Sequence, residues 1–342
     1  MENNKITIGS LSVSQAPHIT TKLDTAKTMQ NVLIALIPAV LVSTFMFGIR
    51  VLVLTAVCMA ACAFFEWGYE KLMHKKVTIQ DCSACVTGAI LACNMPANFP
   101  FWMAIIGCFV AIVIVKQLYG GLGKNFANPA IVGRIVLLLS FTTQMTTWPI
   151  AGAGFGWVTP TEIDGVASAT PLGLLAEEGA GLANLGDMFI GKTGGAMGEV
   201  CAIAVIIGGV YLIWKKIISP IIPCTFIATV FVIALIYYGV KGGAGDYNAI
   251  QMALYHILGG GVMFGAFFCA TDYVTSPVMP QGKYIFGIGC GAVTMLIRLL
   301  ASYPEGVSFA ILLMNVCTPL IDSFVTKRYY DRLYGPKKEA KK

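Results

Sequence analysis

The sequence predicts an all-α, polytopic membrane protein with about ten transmembrane helices in two inverted five-helix repeats. Three observations predict it. Of the 342 residues, 57% are hydrophobic and only 12% are charged, about half the charge of a soluble domain, and the mean hydropathy is +0.76. Apolar runs of roughly 18–20 residues recur, long enough to cross about 30 Å of hydrocarbon. The runs divide five and five around one polar-leaning segment, and an odd number per half reverses the direction of the second half through the membrane.

In chain order the runs fall at 30–48, 51–67, 83–95, 101–119, 127–141, 199–214, 221–238, 253–271, 284–301 and 307–325. The polar segment 1–28 has no apolar stretch of the kind a cleaved signal peptide carries, so none is expected. The third run, "SACVTGAILACNM", is short and closes on "PANFPF". The eighth is rich in small residues, "ILGGGVMFGAFFCATD", and closes on "YVTSP". These two interrupted runs hold matching places in the two halves, where an inverted repeat builds a central site.

Loop charge orients the bundle. Lys5, Lys22 and Lys27 precede the first run, and Lys71, Lys75 and Lys76 follow the second. Lys116, Lys124, Lys215, Lys216 and Lys283 join the same side, as does the tail with Lys327, Arg328, Arg332, Lys337, Lys338, Lys341 and Lys342. On the other side, 94–100 is uncharged. Residues 142–198 set Glu162, Asp164, Glu177, Glu178 and Asp187 against Lys192. The expected organisation is a cytoplasmic segment 1–29, a first repeat 30–143, an extracytoplasmic loop 144–198, a second repeat 199–326 and a basic cytoplasmic tail 327–342.

Nearly all of the eleven cysteines lie inside apolar runs, where a free thiol packs as a small hydrophobe. Cys82 and Cys85 form a C-x-x-C, but no second pair or nearby His accompanies it. The outer loop has no cysteine for a disulfide.

Four places carry candidate chemistry. Asp272 ends an apolar run in "FFCATDYVTSP"; it is either a functional carboxylate at bilayer depth or a solvated residue past the helix end. Asp322, in "NVCTPLIDSF", sits near the end of the tenth run with Asn315 two turns earlier, and its readings divide likewise. Arg134 and Arg298 are basic residues within runs, and snorkelling to the interface is their expected fate. In "GGLGKNFANPAIVGR", Asn125 and Asn128 are three apart, so one face presents two amides suited to the edge of a heterocycle. Asn128-Pro129 equally reads as an N-cap with Pro at the first helical position.

The longest polar interruption, "EIDGVASATPLGLLAEE", contains Thr170-Pro171, a good helix start. Unpaired N–H groups at such an end receive phosphate well, and the Thr hydroxyl is able to carry a phosphoester.

Taken together, these motifs resemble the D-subunit family of the Rnf electron-transport complex and, more distantly, the B subunit of the sodium-pumping NADH:quinone reductase. The resemblance runs through "APHITTKLDTAKTMQNVLIALIPA", "GGLGKNFANPA", "DGVASATPLG", "CATDYVTSP", "YPEGVSFAILLMN" and "TPLID", in order along essentially the whole chain. It implies FMN joined through its phosphate to Thr170 by an exported flavin transferase, within an acceptor motif of Asp164, Ser168 and Ala169. It also implies a noncovalent riboflavin near Asn125, Asn128 and Asp272, and a cation path through Asp272 and Asp322. The quinone-reductase protein usually has an extension before its first span; this chain is short there, which favours the Rnf relationship.

The function this implies is a redox-driven translocase subunit in the inner (plasma) membrane. It would work with the A, B, C, E and G subunits, coupling electron flow from ferredoxin to NAD+ to movement of Na+ or H+. Lipid and the transferase are expected partners, and nucleic acid is not. A cofactor-free channel or secondary transporter with inverted repeats is the alternative. No NAD fingerprint, iron–sulfur Cys spacing or FAD motif is visible, so the chain does not perform the whole reaction alone.

Overall fold

Asp24 starts the first helix: its carboxylate accepts the Thr25 N–H at 2.7 Å. From there a computed structural model describes residues 24–75, 77–149, 184–191, 194–242, 247–300 and 305–334. Helix α1 (Thr25–Phe47) ends at Gly48, and α2 (Arg50–Leu72) returns beside it. Helix α3 (Ser83–Cys93) is followed by α4 (Phe101–Gln117) and α5 (Pro129–Ser140). Short helices Thr142–Thr146 and Leu185–Ile190 flank the central segment. The second half comprises α6 (Ala202–Trp214), α7 (Ile221–Lys241), the broken α8 (Ala249–Leu258 and Val262–Cys269), α9 (Pro280–Leu300) and α10 (Val307–Tyr334).

Each of the ten expected runs meets one of these helices. Five helices are long and apolar enough to span, and α8 qualifies as a pair bent by 59°. The other four are shorter. At 1.5 Å per residue, α3 with its 11 residues extends only about 16 Å. Irregular backbone must continue such a path, and at membrane depth it persists only where protein covers it. The stretch after α3 meets that condition: Met95, Ala97 and Phe99 are fully buried. Arg50 satisfies its carbonyls, with Nε donating to Ala97 O and Nη2 to Asn98 O and Phe99 O, each at 3.1 Å.

Some boundaries differ from the sequence reading. Helix α10 runs to Tyr334, so the segment expected as a tail begins as helix, and Asp322 lies well inside α10. The apolar signal stops at the water interface, whereas helical hydrogen bonding continues through polar residues.

The same pairings recur in both halves. Helix α2 packs on α3 and α4, as α7 packs on α8 and α9; α4 packs on α5, as α9 packs on α10. The halves meet where α1 lies on α6 and α5 lies on α10. The first seam is close: a Cβ on Gly208 would collide with the carbonyl oxygen of Ala35 and come within 2.9 Å of the Phe268 ring.

Arg134 and Arg298 do not snorkel. Arg134 is buried, pairs with Glu305 and donates to Ser308 Oγ at 2.6 Å. Arg298 donates to the carbonyls of His256, Gly259 and Gly260, at 2.5, 3.0 and 3.0 Å. Those carbonyls are freed where α8 breaks, with Gly260 and Gly261 at φ 67° and 70°. An unmet carbonyl costs several kcal/mol in hydrocarbon, and the guanidinium meets three.

Candidate functional site

A cavity opens where the two halves face each other. Its walls come from α1 (Met29, Val32), α3 (Ser83, Thr87), the end of α4 (Lys116), the loop into α5 (Asn125, Asn128) and the end of α8 (Phe267, Phe268) with the turn after it (Asp272, Tyr273). The cavity proper is about 90 Å³ and lies within a wider indentation holding about 770 Å³ free of protein atoms, part of it open to solvent. The last turns of α4 and of α8 widen from α to π geometry, marked by the Leu118 N–H on Val113 O and the Ala270 N–H on Gly265 O. Such wide turns often mark functional sites, and both border this cavity.

Asn125 and Asn128 share this wall with Asp272, which is distant from them in sequence. Asn128 caps α5: its Oδ1 accepts the Ala130 N–H at 3.0 Å, while its Nδ2 donates to Cys269 O at 3.0 Å. The capping reading therefore holds, and the same amide ties the halves together. Asn125 donates to Ala127 O at 3.0 Å and lines the same cavity as Asp272.

Asp272 lies past the end of its helix, yet it is not merely solvated. Thr275 Oγ1 donates to it at 3.1 Å. The result is a carboxylate tied to its own turn, on the same cavity as Phe267, Phe268 and Tyr273.

Sequence reasoning missed the polar network on the α2–α4 side. Lys116, counted as a loop charge, is buried at 2% exposure, and Glu66 is fully buried. Lys116 Nζ lies 2.7 Å from Glu66 Oε1 and donates to Ser83 Oγ at 2.6 Å. Gln117 Nε2 donates to Glu66 Oε1 at 2.9 Å. Glu70 accepts from Thr78 through N–H at 3.0 Å and Oγ1 at 2.5 Å. The signal was available: an acid and a base lie inside the second and fourth apolar runs, where such residues are costly unless paired.

Asp322 lies apart from this cavity, on α10 against α9, where a Cβ on Gly282 would approach its Oδ1 at 3.4 Å. Among the described residues that oxygen is buried without a hydrogen-bond partner, as are both polar side-chain atoms of Asn315. The acceptor motif, Asp164, Ser168, Ala169 and Thr170, lies outside the described residues.

Comparison with known proteins places the chain in a family. The profile of the NQR2, RnfD, RnfE family matches residues 12–331. The chain is 45% identical to the D subunit of the Na+-translocating ferredoxin:NAD+ oxidoreductase complex of Acetobacterium woodii, over 97% of this chain and 98% of the relative. It is 40% identical to the D subunit of the proton-translocating ferredoxin:NAD+ oxidoreductase complex of Clostridium ljungdahlii, over 92% and 94%. It is 37% identical to the D subunit of the ion-translocating oxidoreductase complex of Actinobacillus succinogenes, over 92% and 96%. The chain belongs to the NQR2, RnfD, RnfE family.

Proposed function

We propose that this family member is the membrane redox subunit of an ion-translocating ferredoxin:NAD+ oxidoreductase complex. It carries covalent FMN on Thr170 and a noncovalent flavin, riboflavin, in the cavity between its halves. The observation that carries the reading is the convergence of Asn125, Asn128 and Asp272 on one cavity wall. When bound, a flavin accepts and passes on electrons one or two at a time, while the protein supplies position and electrostatics.

The residues present suit such a group. Phe267, Phe268, Val32 and Leu212 offer apolar surface to a ring face; Asn125, Asp272 and Lys116 offer donors and acceptors to a polar edge. The cavity proper is smaller than the roughly 300–1,000 Å³ of drug-sized pockets. A three-ring heterocycle would therefore place one edge inside and the rest in the wider indentation. Asn128, committed to Ala130 and Cys269, fixes the wall. Asp272, held by Thr275, orients a donor on the ligand.

The recurring helix pairings support an inverted repeat. The lysine distribution supports cytoplasmic termini and an extracytoplasmic 144–198 loop, which is where an exported transferase would reach Thr170. Asp272 and Asp322 are the candidate carboxylates for passage of Na+ or H+, and the A, B, C, E and G subunits are the expected partners.

The test is a denaturing gel of the protein matured with its transferase. We expect flavin fluorescence on the parent band and none on Thr170→Ala. Acid extraction of the native complex should release a further, noncovalent flavin. A complex without any flavin would favour the cofactor-free transporter.

A further inference from the structure

We propose that Lys116 is the cation the cavity presents to its ligand, favouring the ligand's more negatively charged form, with Glu66 as the counter-ion that sets how strongly it does so. This rests on the reading of the cavity as a flavin site; it adds the residue pair that tunes the site.

The geometry carries it. An ammonium has three donors. Two of those on Lys116 go to Glu66 Oε1 at 2.7 Å and Ser83 Oγ at 2.6 Å. Its side chain lines the cavity together with Ser83, so the remaining donor is available to a ligand there. Side-chain exposure is only 2% for Lys116 and 1% for Glu66, so water screens little of either charge.

The pair is also incompletely matched. Among the described residues Glu66 Oε2 is buried without a hydrogen-bond partner, whereas neighbouring Glu70 is held by Thr78 through both its oxygens. The Glu66–Lys116 link is therefore the adjustable contact. Each electron a ligand accepts adds one negative charge unless a proton follows. At effective dielectric constants near 20, a unit charge a few ångströms away is worth several kcal/mol. A cation at the wall thus favours the reduced ligand, and a carboxylate behind it opposes that effect.

A purely structural ion pair and this proposal differ in sign. In the assembled complex, the noncovalent flavin is first quantified by acid extraction, and its midpoint potential is then measured by spectroelectrochemical titration. Lys116→Gln should disfavour the reduced form at least tenfold, lowering a one-electron midpoint by roughly 59 mV. Glu66→Gln should move it upward, and Lys116→Arg should leave it near the parent value. The Lys116→Gln/Glu66→Gln pair removes both buried charges, so folding does not depend on an orphaned ion; its midpoint should still fall, because Lys116 is the member that lines the cavity. Flavin present with a midpoint unmoved in all variants overturns the proposal. Absence of noncovalent flavin from the parent complex overturns instead the reading on which it rests.

Discussion

The side-chain amide of Asn128 donates to the carbonyl oxygen of Cys269 at 3.0 Å, joining the start of α5 in one half to the end of α8 in the other. Because its Oδ1 also caps α5, two roles are separable. Asn128→Ser should keep a cap but fall short of Cys269; Asn128→Ala loses both. Noncovalent flavin content should drop in both variants. Thermal unfolding should show Ala worse than Ser by about 1 kcal/mol, the usual worth of an N-cap. Equal stability of the two would remove the cap from the account.

Arg134 and Glu305 form a second link between halves, from α5 to the residues just before α10. Breaking a buried pair strands the remaining charge. Glu305→Ala should cost about 3 kcal/mol, the lower end of the usual range, since Glu305 keeps 21% exposure. Replacing both by Met should recover much of that loss, because neither charge is then buried alone. A double variant no more stable than Glu305→Ala would mean that Arg134 has found other partners.

Close approach of α1 and α6 depends on Gly208. Small residues let helix backbones meet in a membrane, where no hydrophobic effect drives them together. Gly208→Leu should abolish a monodisperse peak on size exclusion in detergent, with Gly208→Ala intermediate. A parent-like elution profile for Leu would show that the seam tolerates separation.

Asp322 has a buried oxygen without a partner among the described residues, next to Gly282 of α9. Asp322→Asn should reduce cation uptake by vesicles containing the complex several-fold, with flavin content unchanged. Transport at the parent rate would take Asp322 out of the path.

Much of the architecture is legible in the sequence because hydrocarbon imposes a simple rule: a spanning segment must be apolar and must satisfy its own backbone. That rule locates ten segments, marks the third and eighth as interrupted, and singles out Asp272 where an apolar run stops. It misreads Lys116, Arg134 and Arg298, because a long basic side chain in an apolar run looks the same whether it reaches water or a buried partner. For Lys116 the partner is Glu66, and for Arg134 it is Glu305, 171 positions away.

The sequence by itself determined the membrane class, the ten apolar segments and the cap at Asn128-Pro129. Each follows from a few neighbouring residues, since hydropathy and capping are local properties. Only the tertiary structure decided that Asn125, Asn128, Lys116 and Asp272 line one cavity, and that Arg298 serves the break in α8. Those outcomes depend on which helix faces meet across the seam, and van der Waals fit between helices leaves no periodic mark in the sequence.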